Sequence, residues 1–219
     1  MRRLFLIAAI NVSLIGAAWA HPHVLVDAQA EVLFDKDGTI SAIRNTWKFD
    51  EPFSAYAKQG LSHLSNGKLT SDSLVALARV NIHALAPYRF FTFIRLDGKL
   101  VPFGDGSDQK LSDDGERLTL SFTVTPTSPI RTDNGPVTIA LYDPEYFVAM
   151  SFVKDKPVKL EGAPKGCRMQ LFTPTGLSSA AAAALSRVPA SQRVLPPELQ
   201  ALTGGIENGL VIDCSVQKP

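Results

Sequence analysis

Metal-active and redox-active side chains are scarce in this chain, which has two cysteines, four histidines and three methionines in 219 residues. With Met1 among the three, no methionine-rich copper relay is present. Neither sign of charge dominates, since 22 basic residues face 21 acidic ones. Such a balance gives no electrostatic reason to bind nucleic acid or an anionic membrane surface. There is no Gly-rich phosphate loop, no Gly-x-Ser-x-Gly elbow, no His-Glu-x-x-His and no reactive-cysteine motif. After the first 20 residues no stretch resembles a membrane helix. The two cysteines, Cys167 and Cys214, have no third partner. In an oxidising compartment they predict one disulfide, spanning about 46 residues and contributing about 4 kcal/mol in the chain-entropy view. A thiolate metal site is the rival reading and requires reduced thiols.

One apolar run is present, and it is at the start. Arg2 and Arg3 precede an apolar stretch from Leu4 to Ala18, and Ala18-Trp19-Ala20 supplies the small residues of a cleavage site. This pattern predicts a secretory leader over residues 1–20, cleaved before His21, and a periplasmic mature protein without membrane insertion. The run is interrupted by Asn11, Ser13 and Gly16 and falls short of the ~20 apolar residues of a membrane span; a retained anchor is the competing reading. The remaining 199 of 219 residues carry a formal charge of −1 once Arg2 and Arg3 are removed.

That length predicts a single β-rich domain over residues 21–219. His23–Phe34 and Ile40–Phe49, joined by Asp35-Lys36-Asp37-Gly38, predict a β-hairpin. Phe53–Leu64 and Thr70–Ala86 predict helices, the second capped by Thr70 or Ser71 and stopped by Pro87. Arg89–Leu96 reads as a strand. Leu118, Leu120, Phe122 and Val124 alternate with polar residues as a half-buried strand does. Further strands are expected from Val137, at Tyr146–Phe152, Val158–Glu161, Arg168–Phe172 and Leu210–Val216. Ser178–Arg187 and Pro197–Leu202 predict short helices. The expected fold is mainly β (α+β), an antiparallel, sandwich-like domain with helical inserts at about 53–86 and 175–203.

Cleavage would begin the mature chain with His21-Pro22-His23. His21 then carries an imidazole and a free α-amine of ordinary pKa near ~8, and both can grip one ion. His23 adds a second imidazole, giving a nitrogen-rich set suited to zinc, nickel or copper. Pro22 lacks the N–H that the square-planar amide chelate of copper or nickel needs, so that geometry is excluded. The plain alternative is a frayed terminus. On an extended strand Asp27 lies ~13 Å from His23, at about 3.3 Å per residue, so it shares their ion only if the chain bends. Asp50 and Glu51 close the second strand; either can bind a cation or hold a histidine, and Asp50 can equally cap the next helix. Asp143, in Tyr142-Asp143-Pro144-Glu145-Tyr146, either holds its own turn or lines a ligand site. His83 is a possible third ligand, and His63 is a second remote histidine.

These segments, in order, resemble a known family. His21-Pro22-His23-Val24-Leu25-Val26-Asp27, Trp47-Lys48-Phe49-Asp50-Glu51-Pro52-Phe53-Ser54, Pro87-Tyr88-Arg89-Phe90-Phe91-Thr92 and Leu141-Tyr142-Asp143-Pro144-Glu145-Tyr146-Phe147 are similar to the family catalogued as domain of unknown function 1007. The resemblance implies a periplasmic protein, often labelled a substrate-binding component of ABC-type transport systems. It also implies a partner, an inner-membrane permease of the nickel/cobalt type, and a role in transition-metal traffic. Many relatives are longer and more acidic after Phe53. Here Leu61–Ser73 holds one acid, Asp72, and no calcium site is expected.

The leading expectation is therefore a non-enzymatic, metal-binding accessory protein. It would take zinc or nickel/cobalt, with copper a poorer fit, at His21 and His23 with carboxylates of Asp27, Asp50, Glu51 or Asp143. Two alternatives stand beside it. One is a copper enzyme built on an N-terminal histidine brace, with His83 or His63 as the distant imidazole. The other is an organic-solute-binding component of an ABC-type transporter.

Overall fold

The computed structural model describes residues 22–133, 135–189, 192 and 194–215. The leader expected over residues 1–20, its cleavage site and His21 lie outside the described residues. No helix among the described residues is long and apolar enough to cross a membrane.

The hairpin forms as its pattern predicts. Strand β1 (Val24–Phe34) pairs antiparallel with β2 (Thr39–Phe49). Along β1 the even positions Val24, Val26, Ala28, Ala30 and Val32 are buried, while Leu25 and Gln29 face solvent, the period-two alternation of a sheet with one dry face. Two helices follow, α1 (Glu51–Ala57) and α2 (Ser71–Leu85). Helix α1 stops sooner than its sequence suggests, because Lys58 caps it and Gly60 takes φ +73°. Thr70 caps α2, its hydroxyl accepting from the Ser73 N–H.

The remaining elements are β3 (Thr92–Leu96), β4 (Lys99–Leu100), β5 (Ser107–Asp113), β6 (Leu118–Val124), β7 (Ile130–Arg131), β8 (Val137–Leu141), β9 (Val148–Phe152), β10 (Val158–Glu161), β11 (Arg168–Phe172), α3 (Ser179–Leu185), α4 (Pro197–Gln200) and β12 (Asn208–Asp213). They build two sheets. The first has the path β10-β1-β2-β6-β5, with β9 also on β1 and β7 also on β2; the second runs β11-β12-β8-β3-β4. The second sheet is antiparallel throughout. The first keeps the expected antiparallel pairing among β1, β2, β5, β6 and β7 and adds two parallel pairs to it. Strands β9 and β10 lie one after the other along the free edge of β1, both parallel to it.

Inward residues of both sheets, among them Ile43, Trp47 and Phe122 from the first and Ile94, Ile139 and Leu210 from the second, enter one hydrophobic cluster. Two buried asparagines tie the sheets together. Asn45 donates to Thr92 Oγ1 at 3.2 Å. Asn208 donates to the Met150 carbonyl at 2.6 Å and accepts from the Phe152 N–H at 3.2 Å. A smaller cluster of Leu185, Val188 and Leu195 holds α3 and α4 together. The disulfide joins Cys167 to Cys214, beside the β11–β12 pairing that opens with Arg168 opposite Asp213.

Candidate functional site

The last residue before α1 sets one wall of a cleft. Asp50 Oδ1 accepts from the Phe53 N–H at 2.8 Å as the helix cap, and its Oδ2 accepts from the Leu25 N–H at 2.6 Å. Both oxygens thus fix backbone, locking the start of α1 against β1. Phe49, Phe53, Tyr56 and Ala57 then line one side of the cleft. Leu77, Val80, Asn81, Ala84 and Leu85 of α2 line another.

The third side is the loop between β8 and β9. Asp143 is 2% exposed. Its Oδ1 accepts from the Glu145 N–H at 2.9 Å and its Oδ2 from the Phe147 and Val148 N–H groups, each at 3.0 Å. Burial pushes its carboxyl above the usual range, while those three donors pull the other way. The turn so held leaves Glu145, Phe147 and Val148 lining the cleft. Glu145 also reaches the helical insert, accepting from the Gln200 side chain at 2.8 Å and from the Leu195 N–H.

Trp47 also lines the cleft and is 1% exposed. Its ring stacks on Phe91, centroids 6.0 Å apart, and stands perpendicular to Phe122, centroids 4.8 Å apart. Its indole N–H is buried and meets no hydrogen-bond partner among the described residues. Phe91 arrives through an unusual turn. Arg89, Phe90 and Phe91 have φ of 56°, 53° and 47°, the left-handed region that costs a side-chain-bearing residue about 1–2 kcal/mol. The turn sorts neighbouring side chains. Phe90 packs into the core near Phe122, whereas Phe91 faces Trp47 and Tyr88. Arg89 lies over the Phe103 and Phe93 rings at 5.3 and 5.9 Å and donates to the Val101 carbonyl. The sequence expectation of a strand beginning at Arg89 is therefore corrected: it begins at Thr92.

The cleft so enclosed has a volume of about 610 Å³. Its walls hold seven aromatic rings and four polar side chains, those of Gln59, Asn81, Asp143 and Glu145.

Of the residues singled out as metal ligands, His23 packs against Phe147, one of the residues that line the cleft. The His23 N–H donates to the Phe147 carbonyl at 2.9 Å, and the two rings pack with centroids 4.8 Å apart. Asp27 lies on the outer side of β1 and pairs with Arg117 at 2.7 Å. Arg117 also donates to the Lys48 carbonyl at 3.1 Å and to the Phe49 carbonyl, bracing the end of β2. Glu51 is exposed in the first turn of α1 and His83 is exposed in the last turn of α2. His63 sits in a short bridge with Leu69. The structure thus gives Asp27, Asp50 and Asp143 protein partners. Among the described residues no three His, Cys, Asp or Glu side chains gather as a metal ion needs.

Arg117, Glu145 and the aromatic wall are not among the ligands expected from sequence. A ring at the end of a strand is indistinguishable in sequence from core. The available signal was that Trp47, Phe49, Phe53, Tyr88, Phe91 and Phe147 all fall within the short segments that carry the family resemblance.

The architecture is that of a β-rich α+β protein with an aromatic cleft where its hairpin meets two helices. The family described as protein of unknown function, DUF1007, matches residues 6–214, and the chain belongs to it. The chain is also similar to an uncharacterized protein of Haemophilus influenzae, at 23% identity over 159 residues, covering 71% of this chain and 74% of that relative.

Proposed function

We propose that this protein is a non-enzymatic binding component of the bacterial cell envelope, with the aromatic cleft as the seat of an apolar ligand. One observation carries the reading. Stretches distant in sequence, at Val24, Trp47–Phe53, Tyr88–Phe91 and Asp143–Val148, meet around one concavity. A volume of about 610 Å³ falls within the ~300–1,000 Å³ of small-molecule sites. Trp47 reports on it directly, because the other tryptophan, Trp19, belongs to the expected leader.

The test uses protein beginning at residue 21. A neutral hydrophobic dye such as Nile red is expected to bind saturably, one per chain, and to alter Trp47 emission. Ala84→Arg, an exposed position on the cleft wall, is expected to weaken binding about tenfold, or about 1.4 kcal/mol. Undiminished dye binding in Ala84→Arg protein of unchanged melting temperature would sink the reading.

A second reading keeps the metal as cargo. The amine and imidazole of His21, with the imidazole of His23, would take zinc, nickel or cobalt and exchange it with an inner-membrane permease of the nickel/cobalt type. What supports it is the anchoring of His23 to Phe147, while covalent geometry keeps position 21 within about 7 Å of His23. Calorimetric titration with zinc and nickel is expected to show affinity at least tenfold weaker when one residue precedes His21, since the amine moves away. Equal affinity of the two forms counts against the metal reading alone.

A further inference from the structure

Resting on the cleft reading, we infer that the ligand is a small organic cation, an alkyl- or arylammonium with an apolar body. The argument lies in the composition of the walls. Four of the rings, Trp47, Phe91, Tyr56 and Tyr88, run from the buried end of the cleft to its solvent-facing edge, where Tyr56 is 70% and Tyr88 37% exposed. The faces of such rings carry negative quadrupole density that attracts ammonium groups within about 6 Å. Trp47, Phe91 and Tyr88 form a continuous run, with centroid separations of 6.0 and 5.9 Å.

The ionisable groups point the same way. The cleft is lined by two carboxylates, Asp143 and Glu145, and by no lysine, arginine or histidine among the described residues. Of the basic side chains nearby, Arg117 pairs with Asp27 and Lys58 with Asp113, while His23 packs on Phe147 outside the lining. Low-dielectric aromatic walls strengthen the field of those carboxylates inside the concavity. An anionic ligand such as a fatty acid would meet the repulsion of both carboxylates and no cationic partner among the described residues, leaving it only neutral donors such as the Trp47 indole N–H. A neutral apolar ligand would gain burial alone. A cation would gain burial, ring faces and carboxylate field together.

Three probes with one apolar body separate these cases: phenylbutyl-trimethylammonium, phenylbutanol and phenylbutyrate, titrated against Trp47 emission and by calorimetry. The ammonium is expected to bind at least about tenfold more tightly than the alcohol, and the carboxylate most weakly. Tyr88→Leu and Glu145→Gln are each expected to reduce the affinity for the ammonium about threefold or more while leaving that for the alcohol nearly unchanged. Equal binding of ammonium and alcohol overturns the cation inference and leaves the cleft reading standing. So does a preference for the ammonium that survives both substitutions. Failure of all three probes and of Nile red overturns both.

Discussion

Asp35 closes the β1–β2 turn with both carboxylate oxygens. Oδ1 accepts from the Asp37 and Thr39 N–H groups at 3.0 and 3.1 Å, and Oδ2 accepts from the Thr39 hydroxyl. The Thr39 hydroxyl, then the Thr39 amide, hold the carboxyl below its ordinary range. A carboxylate whose pKa is lowered by folding contributes stability above its unfolded pKa, and that contribution fades as pH falls through the folded value. Asp35→Asn is therefore expected to lower the melting temperature near neutrality, with the gap to the parent protein closing as the pH falls below the ordinary aspartate range. Thermal melts across that range check it, and a gap that does not shrink contradicts the assignment. Asp143 has the opposite sign: its raised pKa means that its ionisation works against folding as pH rises. At this scale the local half of each role was legible. A cap at Asp50 and a turn at Asp143 follow from residue type and spacing. Their distant halves were not, because Asp50 to Leu25 and Arg117 to Asp27 join positions 25 and 90 residues apart.

Elements with a strong period were legible in the sequence, and β10 and β11 also form at the bounds expected for them, whereas β5 left no such trace. The hairpin, β6 and α2 all show a regular buried face. Strand β5 reads Ser-Asp-Gln-Lys-Leu-Ser-Asp and buries only Leu111, so as an edge strand it left no apolar pattern to find. The Arg89–Phe91 turn is not legible in the sequence, because aromatic residues favour strands and nothing local demands a left-handed backbone there. Tertiary packing imposes it, and Gly106 shows how closely. A Cβ at that position would come within 2.9 Å of Phe90 Cε1 and 3.1 Å of Ile82 Cγ2. Gly106→Ala is expected to cost about 1–3 kcal/mol as an overpacking defect, measured by urea denaturation. A neutral result would mean that Phe90 can yield, so that the turn is less tightly held than its contacts indicate.

For the molecule as a whole, counting cysteines was enough to pair Cys167 with Cys214, whereas periodicity tells which face of a strand is buried but not which strand lies beside it. Hence the two parallel partners of β1 went unseen, and with them the cleft, which exists only after Val24, Trp47 and Phe147 are brought together. The disulfide closes a separation of 47 residues around the insert that Glu145 holds. Replacing both cysteines by serine is expected to lower stability by up to about 4 kcal/mol, with a matching fall in melting temperature when the parent protein is reduced. Unchanged melting under reduction would show that the β11–β12 pairing alone holds these ends.

The serial seating of β9 and β10 along β1 has a consequence for biogenesis. Val24 finds its register with Val148, and Ala30 with Val158, so the segment that leads the folded domain is completed by partners made more than a hundred positions later. During vectorial synthesis, the hairpin emerges early with one flank of its backbone unsatisfied, an exposed edge of the kind that recruits other strands. The interval before Val148 arrives is when this chain is most open to mispairing, and when a holding factor would act.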